Sequence, residues 1–394
     1  MTVSGRKILI LSVSAGTGHM RAAGALEAAF RAAHRGSMVT VLDTFRHTSP
    51  FLEKIILGSY MEMLKRAPQL YGYLYSRSEK GRTLSGFAKD EFNRLLSRFS
   101  SARLLAYMNE MGPEAVICTH PFPLGVLADL KRAGALSCLA VGVITDLTIH
   151  PYWVFPETDL YFVGADRLAG DLAGYGIPAE RIHATGIPID LSFTSEVDRK
   201  AVLDGYGLDG SLATLLVMGG GLGMGPLEES VTALGNLAKS CQVIVIAGKN
   251  TQLREKVERM APGLKNPVRA LGYVNNVHQL MASSDIMVTK AGGLSCSEAL
   301  ACGLPLFLMD PLPGQEERNT AFLTGEGAAM AASGVQDLAE KITAGLEQPQ
   351  LLREMSGAAA RLGRPDSAVM AAGLINNRLR AAAGSGLDFT GGLR

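Results

Sequence analysis

Short runs that are apolar on both faces recur along the chain, each followed by a segment of helical pattern. In the first half they are Ile8–Val13, Met38–Leu42, Ala115–Cys118, Leu139–Ile144 and Leu160–Val163. In the second they are Thr214–Met218, Gln242–Ile246, Val268–Leu271, Ile286–Thr289 and Leu306–Met309. A strand covered by helices on both sides must be apolar on both faces, and parallel strands need crossovers of helix length. The alternation predicts an α/β protein with parallel sheets. At 394 residues the chain exceeds what one core serves. The polar, glycine-bearing stretch between the two sets reads as a connection, over 193–212, between a domain at 1–192 and a second at 213–364. Ligands of such sheets bind beyond the carboxyl ends of the strands, so two facing domains would enclose a cleft there.

Charge and cysteine usage narrow the class. The net charge of +1 gives no global field for nucleic acid. Cys118, Cys138, Cys241, Cys296 and Cys302 form no Cys-x-x-Cys pair, which argues against a zinc site or a disulfide framework and for a reducing cytoplasm. Val3–Ser14 runs straight into a glycine turn, as a first buried strand does, without a signal-peptide cleavage site. No apolar stretch reaches the roughly 18 residues of a membrane span. A soluble or peripheral protein is expected.

Three glycine-bearing turns follow strands: "SAGTGH" (14–19), "MGGGLGMG" (218–225) and "TKAGGLSCSEAL" (289–300). Glycine lets backbone N–H groups approach an anion, and a helix N-terminus adds its positive dipole end. Any one of them is equally well explained by close packing. The first is no dinucleotide fingerprint, because Arg21 stands where the last glycine belongs, and there is no P-loop. Asp43, ending the second strand, keeps a nicotinamide-linked oxidoreductase open as a rival. In the third turn Glu298 lies about one helical turn in, where a carboxylate accepts two ribose hydroxyls or simply favours the helix N-terminus. Gln315, Glu316, Glu317 and Asn319 then suit a sugar's hydroxyls, or a solvated loop.

The ordered segments "SVSAGTGH", "VITDLTIHPYW", "TGIPID", "LGYVNNVHQLMASSDIMVTK" and "TKAGGLSCSEALACGLPLFLMDPLPGQEERNTAFLTGEGAA" resemble the diacylglycerol glycosyltransferases. These comprise bacterial processive diacylglycerol β-glucosyltransferases and plant monogalactosyldiacylglycerol synthases, distant relatives of the lipid II-forming N-acetylglucosaminyltransferase. The likeness runs from about Lys7 to about Ala372, and its "GG…SE…P-G-Q-E" form looks nearer the glucosyltransferases. It implies the GT-B architecture, two Rossmann-like doubly wound domains facing across a cleft. A helix over 365–381 would return to the N-terminal domain, with 382–394 a poorly ordered tail. It also implies a UDP-hexose donor, glucose favoured over galactose, transferred with inversion to the 3-hydroxyl of diacylglycerol without metal or other cofactor. By motif, Gly18, Gly219, Gly220, Gly221, Gly292, Gly293, Leu294 and Ser295 would border the donor's diphosphate side, and Glu298 its ribose. Tyr273 and Val274 would border the uracil, and Gln315 and Glu316 the hexose. His19, whose imidazole titrates near neutrality, would take the acceptor's proton. Asp146 is the other candidate base, or the group that orients His19; His150 and Trp153 stand close behind it on the acceptor side.

Between Arg46 and Arg103 eleven basic residues face five acidic ones, interleaved with aromatic and aliphatic side chains. Tyr60, Lys65 and Arg66 typify a pattern that fits an anionic membrane surface, each charge gaining roughly 1 kcal/mol there. An ordinary helix with a solvated basic face carries the same pattern. Trp153, the single tryptophan, is either interfacial or core. The expected setting is the cytoplasmic face of the cell membrane. Remaining rivals are a non-catalytic UDP-sugar or lipid-binding protein and a soluble UDP-sugar epimerase of the same architecture.

Overall fold

A computed structural model describes residues 5–14, 17–33, 36–48, 102–219 and 226–384. Among these, two six-stranded parallel sheets form, each in its own compact unit. Unit 1 takes the chain to Leu191 and again from Asp366; unit 2 is Ser192–Pro365.

In unit 1 the strands are β1 (Lys7–Ser12), β2 (Met38–Asp43), β3 (Ala115–Cys118), β4 (Leu139–Val143), β5 (Leu160–Phe162) and β6 (Ile182–His183). Their order is β2-β1-β3-β4-β5-β6. Ile8–Leu11 lie opposite Val39–Leu42 on one side and Ala115–Cys118 on the other. Unit 2 holds β7 (Ala213–Met218), β8 (Cys241–Ile246), β9 (Val268–Leu271), β10 (Ile286–Thr289), β11 (Leu306–Met309) and β12 (Ala329–Ala332), ordered β12-β11-β10-β7-β8-β9. β6 and β12 are the strands that the apolar runs do not show. Each lies at a sheet edge, where one neighbour suffices. β6 has two residues, and "AMAA" of β12 lacks the β-branched side chains that mark a strand.

The winding fixes where ligands can go. Each sheet grows in both directions from its first strand, so the connections leaving β1 and β3 diverge, as do those leaving β7 and β10. A crevice opens at the carboxyl ends between such strands, because no crossover covers it.

Two features define the limits of the units. The segment read as a polar connection contains the helix Arg199–Gly205, capped by Asp198 and held in unit 2 by Arg199, whose guanidinium pairs with Asp285 at 2.8 Å. The last helix runs over Ser367–Gly384, past the point where a disordered tail is expected, and Ala382 is still buried. Its Ala368, Ala371, Ala372, Ile375 and Leu379 join Ile8, Ile10, Leu26 and Phe30 in the unit 1 core. Ser367 Oγ accepts the Ile189 N–H at 3.3 Å, tying that helix to the end of the N-terminal half.

Gly142 in β4 shows how packing sets the loop beyond it. A Cβ there would stand 2.8 Å from the Tyr161 ring and 2.9 Å from Leu124 Cδ2. The fully buried Tyr161 donates its hydroxyl to the Trp153 carbonyl at 2.8 Å and accepts the Phe155 N–H at 2.9 Å, anchoring the 151–156 turn. Gly142→Ala is expected to destabilise unit 1 by about 1–3 kcal/mol through overpacking, read from urea unfolding.

Candidate active site

His19 opens the helix Gly18–Ala33 beyond β1, on one side of the unit 1 crevice. Its Nδ1 lies 2.9 Å from the Thr119 carbonyl oxygen and 2.7 Å from Thr145 Oγ1. A carbonyl only accepts, so in the neutral ring Nδ1 carries the hydrogen and Nε2 the lone pair, a tautomer assigned from these partners. Although the ring keeps some exposed surface, burial pushes its pKa down from 6.5 to about 4, against the opposing Thr119 hydrogen bond. At neutral pH it is an uncharged base.

Thr119 ties this corner together. Fully buried just after β3, its Oγ1 lies 2.9 Å from Ser12 Oγ and 3.1 Å from the His19 carbonyl. Asp146 directly follows Thr145, so the two candidate bases, His19 and Asp146, lie at the same end of one sheet.

A second histidine, His120, follows Thr119. Its Nδ1 accepts the Phe122 N–H at 3.1 Å, capping the helix Pro121–Arg132. Its ring stands edge-on to His19, centroids 4.7 Å apart and planes at 79°. Burial, and then the neighbouring His19, hold its pKa well below the ordinary value. His120 carries no glycine turn or family motif that would single it out in the sequence. The available signal was the repeated His-Pro, "THP" after β3 and "IHP" after β4, where proline starts a helix and histidine caps it.

Two acceptor-side candidates are placed by burial. His150 is 3% exposed and caps Pro151–Trp153 by accepting the Tyr152 N–H at 3.2 Å. Trp153 is 1% exposed. It is core, and an indole without free surface offers nothing to a membrane interface. Tyr60, Lys65 and Arg66 lie outside the described residues.

Asp43 loses the role an oxidoreductase would give it. Ser14 donates to its Oδ2 through both backbone and hydroxyl, and Oδ1 accepts the Phe45 N–H at 3.1 Å and the Arg46 N–H at 3.3 Å. The carboxylate fastens the β1 turn to the helix Thr44–Thr48.

In unit 2, Gly219 directly follows β7, while Gly220 and Gly221 lie outside the described residues. Across the crevice, Gly292 caps the helix Gly293–Ala301 with no side-chain bond, so the first N–H groups, at Gly293, Leu294 and Ser295, lack the usual capping oxygen. Such N–H groups and the helix dipole favour an anion. Lys290, just before this turn, has 11% of its side chain exposed and approaches Asp310 at 3.8 Å. Asp310 itself has φ of 47°, the one positive value outside glycine among the described residues.

Glu298 is 0% exposed, deeper than a solvated charge at a helix start. Burial, and then the Glu298 carboxylate, push the Cys302 thiol up to about 12. Glu316 spends Oε2 on the Leu312 N–H at 2.7 Å. Its pKa is raised by burial, with Lys290 opposing and Asp310 adding. Gln315 begins the same helix behind Gly314, whose φ of +97° only glycine adopts readily. In the turn beyond β9, Tyr273 is 71% exposed and Val274 partly so. Among the described residues no group of three or more His, Cys, Asp or Glu is placed to hold a metal ion, and no helix is long and apolar enough to cross a membrane.

Residues 19–189 match the model of the monogalactosyldiacylglycerol (MGDG) synthase family, and 208–362 that of glycosyl transferases group 1. A processive diacylglycerol β-glucosyltransferase of Bacillus cytotoxicus is 30% identical over 364 residues, 92% of this chain and 91% of that one. The chain belongs to the diacylglycerol glycosyltransferase family. It is a glycosyltransferase. The fold agrees: MurG of Acinetobacter baumannii matches with a TM-score of 0.64 at 15% identity, over 94% of this chain and 99% of that one. UDP-GlcNAc 2-epimerase from Neisseria meningitidis, bound to UDP-GlcNAc, matches at 0.56 and 13% identity, over 95% and 100%. These likenesses show the GT-B fold. That an epimerase shares it means the sequence relatives, not the fold, mark this family member as a transferase.

The lowered His19 pKa has a consequence for stability. A group with a native value near 4 and an unfolded value near 6.5 contributes fully above pH 6.5 and loses that contribution as pH falls toward 4. Unfolding free energy of the wild type should fall between pH 7 and 5, and His19→Ala should flatten part of that slope in urea titrations.

Proposed function

We propose that this glycosyltransferase moves glucose from UDP-glucose to the 3-hydroxyl of 1,2-diacylglycerol, inverting the anomeric centre to give a β-glycolipid. The names of the sequence relatives support the donor and acceptor classes. The observation that carries the chemistry is the neutral His19, its hydrogen held on Nδ1 by Thr119 and its lone pair on Nε2.

In this mechanism the Nε2 lone pair receives the acceptor hydroxyl's proton as that oxygen attacks the anomeric carbon. Asp146, one residue past Thr145, supplies negative charge for the imidazolium that forms. Unit 2 takes the donor. By motif the N–H groups of Gly293, Leu294 and Ser295, and the glycines Gly219, Gly220 and Gly221, are assigned to the diphosphate, and the helix dipole stabilises the charge it gains on leaving. Glu298, although fully buried here, is assigned to the ribose by its motif, Tyr273 and Val274 to the base, and Gln315 and Glu316 to the hexose.

The basic, aromatic-bearing stretch 46–103 brings the enzyme to anionic lipid at the cytoplasmic face of the membrane, Tyr60, Lys65 and Arg66 among its contacts. His150 serves the acceptor side by capping the turn beyond Asp146.

The test offers diacylglycerol in anionic liposomes with radiolabelled UDP-glucose or UDP-galactose. Label should enter the lipid from UDP-glucose; label from UDP-galactose alone would reassign the sugar, and label from neither would remove diacylglycerol as acceptor. His19→Ala should cut transfer about 100-fold or more while UDP still binds. Glu298→Ala should weaken UDP binding more than it slows turnover at saturating donor, by isothermal titration and kinetics.

A further inference from the structure

The two histidines of the unit 1 crevice carry their protons on opposite nitrogens. The Thr119 carbonyl only accepts, which places the hydrogen of His19 on Nδ1 and its lone pair on Nε2. The Phe122 N–H only donates, which gives His120 its lone pair on Nδ1 and its hydrogen on Nε2. The rings touch, with centroids 4.7 Å apart, at the ends of β1 and β3, the strands that flank the crevice. Between them the two adjacent rings carry one basic nitrogen, His19 Nε2, and one N–H, at His120 Nε2, both uncharged.

An alcohol has one hydrogen to give and two lone pairs to receive with, so a base beside a donor matches it. A phosphate or carboxylate meets a single donor there and a lone pair that repels it. The chemistry of the pair is that of a site for a neutral hydroxyl.

We propose that His120 is a second acceptor-binding residue, whose Nε2–H donates to the oxygen of the attacking hydroxyl while His19 Nε2 takes that hydroxyl's proton. The inference rests on the glycosyltransferase reading above. The proton passes to His19, the oxygen bonds to the anomeric carbon, and the bond from that carbon to the diphosphate breaks, its electron pair leaving on UDP. His120 keeps its proton throughout. By occupying one lone pair of the oxygen, it turns the other toward the donor. Burial supports the role, since both rings are held below their ordinary pKa and two adjacent cations are avoided.

His120 is also a helix cap, and a crossed pair of substitutions separates the two roles. Gln places an amide N–H near the position of Nε2 and loses the cap. Asn caps well and loses the distant N–H. If His120 binds the hydroxyl, His120→Gln keeps kcat within about tenfold of wild type and His120→Asn loses about 100-fold or more, a size seen when one aligned donor is removed. Both variants should bind UDP as the wild type does. If the cap is the whole role, the order reverses: His120→Asn stays active, and His120→Gln loses activity together with thermal stability. Equal losses in both, or a loss of UDP affinity, also overturn the proposal. A wild type that transfers no sugar to diacylglycerol overturns the glycosyltransfer reading instead, and this inference with it.

Discussion

Each sheet is wound outward from its first strand, and the location of the chemistry follows from that constraint. A helix that crosses from β1 to β2 leaves on one side, and the chain from β3 leaves on the other, so the carboxyl end between β1 and β3 stays uncovered. β7 and β10 repeat the arrangement in unit 2. The chain places short, polar or glycine-bearing turns at both openings and nearly continuous apolar residues in the strands beneath. Backbone groups at these strand ends have no further ladder to join, so they are available to orient side chains, as Thr119 does for His19, or to meet a ligand directly, as the first N–H groups after Gly292 can.

The two openings are electrically different. In unit 1, His19 and His120 are desolvated and neutral, and their partners are a carbonyl, a hydroxyl and a backbone N–H. Such a corner suits an uncharged alcohol. In unit 2 a lysine with little exposed surface, a helix N-terminus without a side-chain cap and three carboxylates, Glu298, Asp310 and Glu316, are set close along the turns after β10 and β11. Donors in a row suit phosphate oxygens, and carboxylates suit sugar hydroxyls. A nucleotide-sugar carries both kinds of group, and an alcohol acceptor carries neither phosphate nor charge. The proposed division of labour, acceptor at unit 1 and donor at unit 2, matches the chemistry at each crevice.

Much of this was legible in the sequence, for physical reasons. Buried parallel strands must be apolar on both faces, so ten of them announced themselves as runs; β6 and β12, short and at edges, did not. His19 stood out beside its glycine turn, but only the resemblance to the diacylglycerol glycosyltransferases gave it an active-site role, because the turn alone equally suits a histidine capping local backbone groups. Thr145 and His120 were not, because their importance lies in which atom faces His19 across more than a hundred residues of chain. Trp153 shows the opposite error. An isolated tryptophan near a site invites an interfacial reading, and only the packing of Tyr161 under Gly142 reveals that the 151–156 turn folds inward. Glu298 was identified by spacing, but its complete burial was not, since the helix face it occupies depends on tertiary packing.

The central claim is that a desolvated, neutral histidine at the unit 1 crevice accepts the hydroxyl's proton. The pH dependence of kcat/KM for diacylglycerol tests it most directly, because that ratio reports the free enzyme's essential base. The account predicts a level profile from pH 8 down to about pH 5, with the fall centred near the His19 value of about 4. A fall centred near 6.5, the value of an ordinary solvated histidine, would contradict it.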